Sequence, residues 1–216
     1  MLSEPTDFRR LLLLRHPELA TGQQNLAVGD GAAELSRRGR AQVLDWLRWF
    51  EGSPIDAVFT GPQPQCEQAA RALASARELE VQVDARLRDQ HMGTWQGRSW
   101  DDLVQQDGEA VRTFFREFGE ARAPDGESLG QAVERVLQWW VEQAPAWLGR
   151  TVAVVLPGSV LSGAVAALLG LRLSRCVSMS LPHGGVGVVD AYDNGVRIQS
   201  WNPGAVAGAG GAPSAD

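Results

Sequence analysis

Lysine is missing from this chain: all 20 basic residues are arginine, and 26 acidic residues outweigh them to a net charge of −6. The missing lysine reflects composition rather than mechanism. The acidic balance, with no basic cluster to offset it, excludes a nucleic acid or a membrane surface as the natural partner. Cysteine is nearly absent too. Cys66 and Cys176 lie far apart with no C-x-x-C pattern, which indicates neither a disulfide scaffold nor a zinc site, and both read as small buried hydrophobes. No cluster of ligating residues has metal spacing, so no metal is expected. There is no internal repeat. The longest leucine run, Leu11–Leu14, is too short for a signal-peptide core or a bilayer span, and Met1–Asp7 carries Glu4 and Asp7 but no basic n-region. These absences point to a soluble, cytoplasmic protein.

What is present begins with that run. Leu11–Leu14 leads without a polar spacer into Arg15-His16-Pro17-Glu18. Continuous apolar residues read as a strand buried on both faces, as in a parallel sheet covered by helices. Arg15 and His16 then fall just past its carboxyl end, where open α/β sheets place their ligands. A guanidinium fork beside an imidazole suits a phosphate group, with His able to act as a nucleophile. The same pair would equally serve as a solvated strand end.

At 44% hydrophobic residues, the 216-residue chain can bury one sizeable core, and one domain is the default. After the Gly/Gln/Asn-rich loop 20–33, Leu35-Ser36-Arg37-Arg38-Gly39-Arg40 opens a helix with Ser36 as N-cap. Ile55–Thr60 is a strand, a helix runs from Pro64 to about Leu79, and Val81–Val83 is a third strand. This β-α-β-α-β order predicts a parallel sheet with right-handed crossovers. Residues 86–128 break the rhythm as a loop plus two short helices, a lid or an extra packing layer over the strand ends. A long helix from Leu129, a strand Thr151–Leu156 and a helix to Leu169 follow. β structure is expected over Arg175–Ser180, Gly185–Tyr192 and Val196–Trp201, with a hairpin turn at Asp193-Asn194-Gly195. Residues 203–216 read as a disordered Gly/Ala-rich tail, leaving 1–202 as a single domain.

With these pieces placed, the chain resembles the histidine phosphatase superfamily, the phosphoglycerate mutase-like fold, from about Leu11 to Asn202. Arg15-His16-Pro17-Glu18 resembles its Arg-His-Gly signature, in a Pro variant similar to alpha-ribazole phosphatase-like members. Leu35-Ser-Arg-Arg-Gly39-Arg-Ala-Gln42 is similar to its helix start, Trp95-Gln96-Gly97 to its lid segment, and Asp125-Gly126-Glu127-Ser128 to its Gly-Gly-Glu-Ser. The resemblance implies a three-layer α/β/α sandwich, mostly parallel, with an antiparallel strand near the C-terminal end of the sheet. It also implies no metal and no organic cofactor. Carried over, His16 is the nucleophile, Arg15 an oxygen clamp, and Asp89 the acid that protonates the leaving oxygen.

Two positions depart from the family pattern. Gln65 stands where a second clamping Arg belongs, and Pro157 stands where a second His belongs. Losing one preorganised donor costs roughly 10²–10³ in rate. Two losses would multiply to about 10⁴–10⁶ if independent, which residues of one site seldom are. His183, in Leu181-Pro182-His183-Gly184-Gly185, is either a replacement phosphate ligand or a turn histidine. Gln65 remains a candidate phosphate ligand, Arg88 and Arg98 flank the lid, and Trp95 and Trp100 could stack on a ligand or anchor the core. The expected function is therefore a catalytically impaired or inactive relative that binds a phosphorylated small molecule, phosphate or a protein partner. The alternative is an active phosphomonoesterase working through a phosphohistidine at His16. Oligomeric state is not legible.

Overall fold

Each leucine of the first strand faces a different layer from its neighbour. Strand β1, Arg9–Arg15, buries Leu11–Leu14 completely. Leu11 and Leu13 join one core cluster while Leu12 and Leu14 join another on the opposite face, as the two-residue side-chain period of a strand requires. The computed structural model describes residues 7–203 except 21, 23 and 24.

β1 sits inside a six-stranded sheet of order β3-β2-β4-β1-β5-β6. Its members are β2 (Ala57–Thr60), β3 (Val81–Val83), β4 (Thr151–Leu156), β5 (Val186–Tyr192) and β6 (Gly195–Trp201). β3, β2, β4 and β1 run parallel, β5 lies antiparallel beside β1, and β6, antiparallel to β5, returns to the direction of β1. Helices α1 (Arg37–Trp49) and α2 (Pro64–Ser75) cover one face. Helices α4 (Leu129–Gln143) and α5 (Gly158–Leu168) cover the other. The result is the expected α/β/α sandwich, mostly parallel, with the antiparallel strand β5 near the C-terminal end of the chain.

Local chemistry explains the helix starts. Ser36 caps α1 by accepting from the Gly39 amide at 2.9 Å, and Ser128 with Gln131 forms a capping box on α4. Asp193-Asn194 makes the two-residue turn between the paired Tyr192 and Gly195. One expectation needs correction. Arg175–Ser180 is not a strand but part of a 3-10 helix, Leu173–Met179. Its burial falls on Leu173, Cys176 and Met179, a period of three that matches eclipsed 3-10 side chains rather than a pleated strand. The two short helices expected in the inserted segment are the two arms of α3 (Trp100–Arg116), which meet at a kink at Asp107, where φ/ψ is a non-helical −145°/49°. The tail expected from Pro203 lies, from residue 204 on, outside the described residues. Among the described residues no single helix is long and apolar enough to cross a membrane.

The register decides where the site forms. Arg15 pairs with Leu156 across β1 and β4. The residues that follow each strand, His16 and Pro157-Gly158, therefore emerge side by side at the carboxyl edge of the sheet. The inserted segment builds its own small core from Met92, Trp95, Leu103, Val111, Phe114 and Ala123, and walls this edge.

Candidate active site

The strand tip opens into a cleft of about 570 Å³ lined by Arg15, His16, Glu18, Asp89, Ser159 and His183 on its polar side. His16 is 6% exposed. Its Nδ1 lies 2.9 Å from the Pro17 carbonyl oxygen. A carbonyl only accepts, so Nδ1 carries the proton and Nε2 keeps its lone pair. Burial pushes the His16 pKa down to about 3, and nearby His183 and Arg15 add to the shift while the Pro17 carbonyl opposes it. The imidazole is therefore neutral at physiological pH, which a nucleophile requires.

Arg15 is committed to its surroundings on two of its three nitrogens. Nη1 donates to the Leu181 carbonyl at 2.5 Å and Nη2 to His183 Nε2 at 3.2 Å. Nε is buried without a partner. It points at the start of α5, where a Cβ on Gly158 would lie 2.6 Å from it. Pro157 caps α5 with no side-chain bond, so the first amides of that helix lack an intrahelical acceptor and face an anion with the positive end of the helix dipole. An orphaned guanidinium N–H beside unpaired helix amides suits a phosphoryl oxygen.

Because Arg15 donates to His183 Nε2, the ring's proton sits on Nδ1, 3.4 Å from the His16 carbonyl oxygen. The two imidazole centroids are 5.0 Å apart. Burial, then the charge of Arg15, lowers the His183 pKa. His183 is thus both a turn residue with local partners and a wall of the cleft.

The sequence motif around Gly39 and Gln42 acts as a brace. Gly39 lies against the Glu18 carbonyl so closely that a Cβ there would come within 2.2 Å of its oxygen. Gln42 accepts from the Glu18 amide at 2.8 Å and donates to the His183 carbonyl at 2.7 Å. One side chain therefore ties the two loops that carry the histidines.

Asp89 reaches the same cleft. Ser159 Oγ, on the first turn of α5, donates to Asp89 Oδ1 at 3.1 Å. Burial raises the Asp89 pKa to about 6, against the bonds from the Gln90 amide and Ser159 and the charge of Arg135. Arg135 on α4 fixes the backbone here by donating to the carbonyls of Arg86, Arg88 and Asp89 at 2.6, 2.9 and 2.8 Å. It is paired with Glu127 at 2.5 Å.

Other candidates are placed elsewhere. Gln65 Oε1 accepts from the Ala33 amide at 3.0 Å and Nε2 donates to the Gly31 carbonyl at 3.2 Å, so its amide pins the loop and does not line the cleft. Arg88 pairs with Asp30 and Glu127, and Arg98 donates to Gln106. The His91 ring accepts from the Gly93 amide. Trp95 is buried in the inserted segment's core, while Trp100 lines the cleft. Sequence reasoning missed Ser159, Gly158 and Arg135, and also Phe114, Phe115 and Phe118. The aromatic triplet is visible in Val111–Phe118, but its direction is not. Among the described residues no group of His, Cys, Asp and Glu could hold a metal ion.

The model of the histidine phosphatase superfamily (branch 1) matches residues 11–203. The chain belongs to the histidine phosphatase superfamily. Among curated relatives of this histidine phosphatase is the adenosylcobalamin/alpha-ribazole phosphatase of Escherichia coli K12, 27% identical over 162 residues, 75% of this chain and 80% of that protein. A glucosyl-3-phosphoglycerate phosphatase of Mycobacterium tuberculosis is 27% identical over 175 residues, covering 77% of this chain and 78% of that one. The crystal structure of a putative alpha-ribazole-5'-P phosphatase from E. coli superposes with a TM-score of 0.82 at 24% identity, over 90% of this chain and 96% of that one. That likeness confirms the fold of this chain.

Proposed function

We propose that this histidine phosphatase binds a phosphomonoester over the tip of β1 and hydrolyses it only slowly. The observation that carries this reading is the makeup of the oxygen clamp. Arg15 is the one cationic side chain of the cleft among the described residues, Gln65 is occupied by the 31–33 loop, and Pro157 offers neither a side-chain donor nor an amide proton. In the chemistry this reading entails, His16 Nε2 attacks phosphorus as the bond to the ester oxygen breaks. Asp89 gives its carboxyl proton to that leaving oxygen, and water then discharges the phosphohistidine. The equatorial charge is met by Arg15 and the α5 amides, fewer full charges than the loose transition state calls for. The buried, separate thiols Cys66 and Cys176 accord with work in a reducing compartment such as the cytoplasm.

The test is equilibrium binding of vanadate together with turnover of p-nitrophenyl phosphate, in the wild type and in His16→Ala. Vanadate binding, with turnover about 10⁴-fold or more below a family member that keeps both lost side chains and none in His16→Ala, is the expected result. Absence of vanadate binding would overturn the ligand-binding reading. Turnover at the level of such a member would establish the second reading, an efficient phosphomonoesterase. The place of His183 on the cleft wall favours that reading, since its Nε2, released from Arg15 and protonated, is a substitute donor, and it requires His183→Ala to abolish the activity.

A further inference from the structure

The polar floor is only half of the cleft. Its other wall is apolar, built from Leu26, Met92, Trp100, Phe114, Phe115 and Phe118. Phe114 and Phe115 pack edge to face, their centroids 5.4 Å apart at 87°, and Trp100 lies tilted by 53° against Phe115 at 5.3 Å. Phe114 is anchored in the inserted segment's core, yet Phe115 is 53% exposed. A large ring left open on the wall of a concave site, rather than turned inward, is a contact surface for a ligand.

Charge narrows the ligand further. Arg15 shares the cleft with two carboxylates, Glu18 and Asp89. The nearby Arg88 is paired with Asp30 and Glu127, at 3.5 and 3.3 Å, and Arg38 lies 3.5 Å from Glu18. A ligand with a second acidic group, a carboxylate or another phosphate, would find carboxylates and aromatic rings where it needs an unpaired cation.

We infer that the ligand is the phosphomonoester of an uncharged aromatic alcohol, its phosphoryl group on Arg15 and His16 and its ring against Trp100 and Phe115. The inference rests on the phosphate-binding reading above and adds to it the class of the organic group. About 570 Å³ is room of the size that small-molecule sites use.

Calorimetric titration with phosphonates, whose C–P bond resists hydrolysis, tests it. The probes are 1-naphthylmethylphosphonate, methylphosphonate and phosphonoacetate, with vanadate as reference. The naphthyl compound should bind about ten-fold or more tighter than methylphosphonate, and phosphonoacetate no tighter than methylphosphonate. Phe115→Ala should cut the naphthyl-to-methyl preference about five-fold, and Phe115→Leu should lose part of it while keeping apolar area. Val141→Ser, on the exposed side of α4 outside the cleft, should leave the preference as it is. Failure of vanadate to bind wild-type protein would overturn the phosphate reading itself. Vanadate binding with equal naphthyl and methyl affinities, tighter binding of phosphonoacetate, or a preference untouched by Phe115→Ala would each overturn the aromatic-ligand inference alone.

Discussion

Gly158 has no side chain because Arg15 passes through the space a Cβ would fill, 2.6 Å from Nε and 2.8 Å from Cζ. The neighbour is the movable end of a side chain, so Gly158→Ala should fold and displace the guanidinium instead. Vanadate or phosphate affinity should drop about ten-fold, the scale of one charge-assisted hydrogen bond. Thermal melting should move by only a few degrees. Unchanged anion binding would mean that Arg15 is not the clamp.

Pro157→His should raise turnover of a phosphomonoester by roughly 10–100-fold, because it returns one donor to the oxygen clamp. The backbone there is extended, φ −63° and ψ 150°, which histidine adopts without strain. Single-turnover kinetics with a quenched time course would read the phosphoryl transfer step directly. No gain would overturn the reading that the absent side chain at position 157 limits turnover.

The Asp89 carboxyl has a pKa raised to about 6 and that of His16 is lowered to about 3. A neutral nucleophile and a protonated acid coexist only between these values, so residual hydrolysis of an alkyl phosphate should peak in that window. It should fall about ten-fold per pH unit well above the upper limit. Stability has its own sign. Raised above its ordinary 3.8, the folded-state Asp89 contributes stability that is complete below pH about 4 and lost as pH rises through about 6. Asp89→Asn should therefore melt higher than wild type at pH 8, by the equivalent of about 1–3 kcal/mol. The two should converge at pH 4. The same variant should lose the alkaline limb of the rate profile.

Arg135 holds the carbonyls of Arg86, Arg88 and Asp89 in one segment, and its partner Glu127 is 14% exposed. Arg135→Met should cost about 2–4 kcal/mol, since it strands a carboxylate that only Arg88 and the His91 amide still face. Glu127→Gln should cost less. Urea titration of both variants gives the comparison, and equal small losses would show that the pair is not a structural bolt.

The residues of β1 fixed much on their own. Four leucines in a row require burial on both faces, and only a covered sheet provides that. The alternation of strands and helices then left little choice of architecture, and Arg15 and His16 marked the edge at which the cleft opens. The capping serines and the Asp193-Asn194 turn were equally local, because each depends on bonds within a few residues. What the chain order could not express was distance in space. The 3-10 helix at Leu173–Met179 shows this on a small scale: its period of three is weak in sequence and becomes obvious only against α5. Gln65 looked like a ligand by position, but tertiary packing turned its amide to the 31–33 loop. His183 and His16 are 167 residues apart and meet only because β5 returns antiparallel beside β1. The wall of Trp100 and Phe115 faces the cleft only because residues 86–128 fold back over the sheet edge. Sequence determined which chemistry the strand tip carries, since backbone burial and local bonding are written in neighbouring residues. Tertiary structure alone decided what stands opposite that tip, because the groups facing His16 come from elements that only long-range packing brings together.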